Sequence, residues 1–114
     1  MNFSDEYQKW LLSPALSEAE RDELKEIASD EKEIESRFCA QLEFGTAGLR
    51  GIMGMGTNRM NIHVIRHATQ AFAEVIKEEG QTAMDAGVCI CFDCRINSPL
   101  FAREAASVMA ANGI

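Results

Sequence analysis

The densest chemistry in the sequence lies in residues 44–61, FGTAGLRGIMGMGTNRMN, where Gly45, Gly48, Gly51, Gly54 and Gly56 place five of the eight glycines within twelve residues. Glycines let successive backbone N–H groups approach a phosphate, and Arg50 adds a planar cation that can take two phosphate oxygens at once. Residues 44–73 contain Arg50, Arg59 and Arg66 and no acid, so a small anion is the ligand this stretch suits. The spacing is not that of a nucleotide loop. G-x-x-x-x-G-K-[ST] is absent, and Gly54-Met55-Gly56-Thr57-Asn58-Arg59 breaks G-x-G-x-x-G at its last position. From composition alone, a glycine-rich turn whose arginine sits in a surface ion pair fits equally well.

Other reactive side chains are better explained by structure. Ser98 precedes Pro99, the pattern of a helix N-cap, and Asp93 with Arg95 fits the fixing of the preceding turn better than a general base. Cys91 and Cys94 form C-x-x-C, but a zinc site needs four ligands, and Cys89 and Cys91 alternate onto one face of an apolar run where buried thiols are ordinary. His63 and His67 share a helical spacing without H-E-x-x-H or a third ligand, and Met53, Met55 and Met60 suit packing. No metal site is expected.

The elements that must position these groups are mostly helical. Within residues 1–36 two short helices are expected. Ser17 and Glu20 make a capping box ahead of Leu24 and Ile27, and Asp30 with Glu33 starts a second helix whose Ile34, Phe38 and Leu42 bury one face until Phe44. After the glycine-rich loop, Asn61 caps a helix with Ile65, Ala68, Phe72, Val75 and Ile76 on its apolar stripe and Gly80 at its stop. A turn then leads to GVCICFD, residues 87–93, which has the content of a buried strand. Ser98 and Pro99 open a last helix that Asn112 and Gly113 close. Strand, turn and helix are most of a β-α-β unit, so a further strand is expected beyond Ile114 and the C-terminus reads as a truncation.

Composition bounds the class. The chain has 114 residues, 46% hydrophobic and 25% charged, the balance of one small globular domain that buries roughly two thirds of its unfolded surface. A complete multidomain enzyme does not fit in it. Residues 1–36 carry eleven of the eighteen acids and four of the eleven bases, which accounts for the whole net charge of −7. No basic block points to nucleic acid or to an anionic membrane. No apolar run approaches the roughly 18 residues of a membrane span, and the N-terminus lacks a signal-peptide pattern, so a cytoplasmic protein with reduced thiols is expected.

FGTAGLRG followed by GTNRMN resembles the N-terminal signature of the α-D-phosphohexomutases, in particular the phosphoglucomutase/phosphopentomutase-like branch. YQKWL resembles that branch's helical lead-in, and FDCRINSPLFA is similar to its Asp-x-Arg-x-x-Ser strand-turn-helix, so the likeness covers nearly the whole chain. Cys94 and Ile96 depart from the residues common there, which touches only local turn contacts.

The resemblance implies an α/β fold: a truncated first domain with helices packed on a small mixed sheet, residues 1–43 forming an acidic helical extension and residues 44–114 a partial domain 1. It implies an enzyme that interconverts hexose 1-phosphate and hexose 6-phosphate through a phosphoserine and a bisphosphate intermediate, using magnesium and glucose 1,6-bisphosphate. The phosphoserine, magnesium-binding, sugar-binding and C-terminal phosphate loops of the family have no counterpart in these residues, so the chain alone is expected to be inactive and to bind no cofactor. Its partners would be the hexose phosphate, the remaining domains, and further copies of itself through an open sheet edge. By the same resemblance Arg50 binds a phosphoryl group, Thr46 and Gly48 shape its loop, and Arg59 either contacts the ligand or fixes the loop. The competing reading is a noncatalytic anion-binding or interaction module that reuses the fold. The hexose or pentose preference is left open.

Overall fold

The structure is a computed structural model that describes residues 2–114. It divides into two compact units, one ending at Asn61 and the other beginning at Ile62.

The first unit holds three helices, α1 (Phe3–Leu11), α2 (Glu18–Glu26) and α3 (Glu31–Phe38), and a short hairpin of β1 (Phe44–Gly45) and β2 (Gly48–Leu49). Each helix starts on a side-chain cap: Asn2, Ser17 and Asp30 accept from the backbone N–H of Ser4, Glu20 and Glu33, and Ser17 with Glu20 completes the capping box read from the sequence. Acids in the first turn and a lysine or arginine in the last suit the helix dipole at both ends. Tyr7, Leu16, Leu24, Ile34 and Phe38 form the core, with Tyr7 and Trp10 edge-on to Phe38 at 5.8 and 5.7 Å. The Tyr7 hydroxyl donates to the Leu24 carbonyl at 2.8 Å, and burial raises its pKa.

Two expectations are corrected here. Residues 1–36 contain the additional helix α1, whose Phe3, Tyr7, Trp10 and Leu11 follow helical spacing toward the core. And α3 stops at Phe38, six residues before Phe44, although the apolar spacing runs on to Leu42. The reason lies twenty residues downstream, in the groups that take up its last carbonyls.

The second unit consists of α4 (Ile62–Glu78), α5 (Gln81–Ala86) and α6 (Ser98–Ala111). Helices α4 and α6 pack through buried Ala73 and Met109. Arg66 Nε donates to Glu104 Oε2 at 2.7 Å, and the amides of Gln70 and Asn112 exchange hydrogen bonds. The Arg66 hydrogen bond holds the Glu104 carboxyl below its usual pKa. Helix α6 closes as the sequence predicts, with Gly113 at φ 78, its N–H on the Ala110 carbonyl and the Ile114 N–H on the Met109 carbonyl, a Schellman closure.

Residues 87–93 are not a buried strand. Val88, Ile90 and Phe92 are exposed, as are Cys89, Cys91 and Cys94, and no described residue pairs with this segment in a ladder. A strand exists only through its neighbours, which must satisfy its N–H and C=O groups, and among the described residues none does so. Phe72 and Val75, expected on the apolar stripe of α4, are about half exposed for the same want of a covering layer. The class is nonetheless α/β, with a two-stranded antiparallel sheet and helices that pack on one another.

The turn into α6 differs in detail from the expected cap. Asn97, at φ 65, occupies the N-cap position without a side-chain bond, and Ser98 is the first helical residue. The Ser98 hydroxyl instead accepts from the Asp93 N–H at 3.1 Å. Asp93 accepts from Arg95 Nε at 2.8 Å and from the Arg95 N–H at 3.0 Å, which lowers its carboxyl from 3.8 to about 2. A depressed carboxylate supports the fold above its unfolded value and loses that contribution as pH falls through its folded one, so this turn should hold at pH 4 and release as pH approaches 2. A carbon-13 titration of the Asp93 carboxyl should show a midpoint near 2, and a midpoint of 3.8 would contradict the geometry.

Candidate functional site

The hairpin is the candidate site. Phe44 pairs with Leu49 and Gly45 with Gly48, leaving Thr46 and Ala47 as a two-residue turn. Neither turn residue has a positive φ; Gly48 carries it, at 108°. An L-residue there pays a conformational cost of about 1–2 kcal/mol even with room for its side chain. A Cβ at Gly48 meets nothing within 4 Å, so Gly48→Ala isolates that cost. We expect about 1 kcal/mol of destabilisation, seen as faster amide exchange in residues 44–49 with little effect on the α1–α3 core.

Glu43, Gly45, Thr46, Ala47, Gly48 and Arg50 line an open concavity of about 320 Å³. Arg50 is exposed, and its guanidinium makes no hydrogen bond or ion pair with another described residue. The surface ion pair that composition allowed is therefore not formed, and the fork is available to a ligand. Glu43 on the same wall is an acid, so an anion entering meets charges of both signs. Binding must then come from directed hydrogen bonds more than from net charge.

Both stems of the hairpin end on one strip of backbone. The Leu42 N–H donates to the Thr57 carbonyl at 3.2 Å, and the Met60 N–H donates to the Ile52 carbonyl at 2.7 Å. That strip is bound to the end of α3. Thr57 Oγ1 donates to the Ala40 carbonyl at 2.7 Å, the Asn58 N–H to the Arg37 carbonyl at 2.9 Å, and Asn58 Nδ2 to the Ser36 carbonyl at 3.1 Å. These donors replace the partners that a helix end leaves missing, which is why α3 terminates where it does. Inside the loop, buried Asn61 donates its amide to the carbonyls of Gly54 and Gly56 at 2.9 and 3.0 Å.

The structure thus brings Thr46, Gly48 and Arg50 together around one concavity and puts Arg59 elsewhere. Arg59 is 6% exposed, with Nη1 on the Ser36 carbonyl at 3.2 Å, Nη2 on Ser36 Oγ at 2.9 Å and Glu33 at 3.6 Å. Three contributors escaped the sequence reading. Glu43 lies just outside the acid-free stretch. Arg37, which donates to Glu33, Glu23 and the Met55 carbonyl, was signalled only by its four-residue spacing from Glu33. Asn61 stands directly before α4, where a cap is expected, and its amide also donates to the loop that precedes that helix, a role its position does not signal.

Among the described residues no group of three or more His, Cys, Asp or Glu is placed to hold a metal ion, and no helix is long and apolar enough to cross a membrane. Among the described residues the magnesium implied by the resemblance has no donor set.

Residues 41–114 match the family model described as phosphoglucomutase/phosphomannomutase, alpha/beta/alpha domain I. The chain is 33% identical over 115 residues to a phosphopentomutase of Mus musculus, covering 96% of this chain and 18% of that protein. It is 38% identical over 91 residues to a phosphopentomutase of Pongo abelii, covering 75% and 15% of the two chains. With a phosphoglucomutase of Staphylococcus saprophyticus the identity is 39% over 84 residues, covering 74% and 15%. No solved structure matches the chain significantly. The chain spans 15–18% of the length of these relatives. On the strength of the family match across the glycine-rich hairpin and the two helices α4 and α6, the chain belongs to the phosphoglucomutase/phosphomannomutase family and lies in its N-terminal domain I.

Proposed function

We propose that this chain is the N-terminal part of a phosphosugar mutase and that its hairpin holds a phosphoryl group through Arg50. The observation that carries the reading is an exposed, unengaged guanidinium at the wall of a glycine-lined concavity. Arg50 would take two phosphoryl oxygens in a forked hydrogen bond. Each charge-assisted bond is worth about 1.5–3 kcal/mol, and phosphoryl transfer depends on such positioning and charge stabilisation because its transition-state charge is spread over the oxygens. Gly45 and Gly48 add no side chain to the wall, and Thr46 offers a hydroxyl at the turn.

The reaction we propose is exchange of a phosphoryl group between the anomeric and terminal hydroxyls of a sugar, through a phosphoserine and a sugar bisphosphate. Hexose 1-phosphate and hexose 6-phosphate are the proposed pair, although relatives named for pentose, ribose, glucose and mannose phosphates all match. Ser98 does not serve as the nucleophile in this reading, because its hydroxyl accepts from the Asp93 N–H in the turn. The phosphorylated serine would be supplied by the rest of the protein.

The test is phosphorus NMR of the purified protein bearing this chain at its N-terminus, incubated with glucose 1-phosphate and its bisphosphate and, separately, with ribose 1-phosphate and its bisphosphate. Loss of the 1-phosphate resonance with gain of the 6-phosphate supports the hexose reading. Turnover of ribose 1-phosphate alone moves the assignment to pentoses, and no turnover of either contradicts it. The 114-residue chain by itself should turn over neither.

A further inference from the structure

We infer that Arg59 is a positioning residue: it anchors a backbone clamp that holds both stems of the hairpin and so fixes the direction in which Arg50 points. This rests on the reading of Arg50 as a phosphoryl ligand. A hairpin of two residue pairs is not stable by itself in water, so its order must come from its base. That base is double. Leu42, before β1, and Ile52, after β2, bond respectively to Thr57 and Met60 on a single strip. The strip therefore sets the separation and direction of the two stems together. A further bond from the Gly54 N–H to the Met60 carbonyl at 3.1 Å holds the return of the loop.

Thr57 and Asn58 tie the strip to residues 36–40 through single side-chain hydrogen bonds, and Arg59 adds a forked one. Arg59 is buried, lies outside the concavity, and spends its fork on Ser36, taking both its carbonyl and its hydroxyl, with Glu33 beside it. The same guanidinium donates to the Asn58 carbonyl at 3.0 Å, which locks the strip to itself as well as to α3. A ligand contact would require the fork to be free. Its acceptors are instead the end of a helix, where a cation is favoured by the dipole. The function of the acidic helical lead-in follows: α3 is the post on which the clamp is built.

Small errors in direction matter for such a group, since a displacement of about 1 Å in a reacting constellation can cost on the order of 100-fold in rate. The test uses the nitrogen-15-labelled 114-residue chain, with inorganic phosphate as the probe, in wild-type, Arg59→Ala, Arg59→Lys and Ser36→Ala forms. Nitrogen relaxation gives the order of amides 43–50, and Trp10 fluorescence reports whether α1–α3 stay folded. We expect wild-type order parameters of about 0.85, falling below about 0.6 in Arg59→Ala and by a smaller step in Ser36→Ala. If the binding-competent fraction drops to about a fifth, the phosphate midpoint weakens about fivefold. Arg59→Lys keeps the charge but not the fork, so it should behave like Arg59→Ala.

Unchanged hairpin order in Arg59→Ala and Ser36→Ala overturns the clamp. Retention of phosphate binding by Arg59→Lys, with loss in Arg59→Ala at unchanged order, overturns it in favour of direct contact. Should Arg59→Ala unfold α1–α3, Ser36→Ala alone decides. A wild-type chain blind to phosphate, whose variants nonetheless lose hairpin order, leaves the clamp standing and removes the Arg50 reading.

Discussion

Arg50→Ala should lower kcat/KM of the phosphosugar mutase reaction by about 100- to 1,000-fold, the scale on which a single donor to developing charge contributes to catalysis. It should do so without touching stability. The side chain is exposed and engages no described neighbour, so its removal should leave unfolding within about 0.5 kcal/mol of the parent. Arg50→Lys should recover only part of the activity, because an ammonium restores charge but cannot grip two oxygens in a fixed plane. A coupled assay beside a thermal melt separates the two effects. A loss below about threefold, or a comparable loss of stability, would remove Arg50 from the chemistry.

Gly56→Ala should be the most destabilising small substitution in the first unit. Gly56 is buried at φ 133, a region that costs other residues about 1–3 kcal/mol. A Cβ there would stand 2.7 Å from the Arg37 carbonyl oxygen and 2.9 Å from Arg37 Cβ. The carbonyl cannot easily withdraw, since it accepts from the Asn58 N–H at 2.9 Å and sits in the last turn of α3. Overpacking adds about 1–3 kcal/mol, so the total of about 2–6 kcal/mol is a large share of the roughly 5–15 kcal/mol that holds a domain together. Urea unfolding followed by Trp10 fluorescence should show a midpoint far below that of Gly48→Ala, where φ is also positive but space is open. Equal midpoints would mean that the clamp and α3 are not in the contact described.

Local signals were the ones the sequence carried well. The Ser17 and Glu20 box, the Asp30 start and the Asn112 and Gly113 stop are written within three or four residues of where they act, and the structure has each of them. What depends on distant partners was not legible. The spacing of Ile34, Phe38 and Leu42 continues a helix that ends at Phe38 because residues 57–59 bind its carbonyls. Residues 87–93 have the content of a strand, but pairing is a property of neighbours, and none of the described residues is one. The site divides in the same way. Arg50 stood out because glycines surround it, whereas the anchoring of Arg59 could not be seen when its partner Ser36 lies 23 residues upstream. Reading Ser98 as an N-cap placed it at the right turn in the wrong position, one residue past Asn97.

The most direct test of the account is a nitrogen–proton correlation titration of the 114-residue chain with glucose 1-phosphate, repeated on Arg50→Ala. If the hairpin is the phosphoryl site, shifts concentrate on residues 43–51, α1 and α2 stay silent, and the response vanishes in the variant. Shifts centred elsewhere, or a hairpin response that survives in Arg50→Ala, would contradict it.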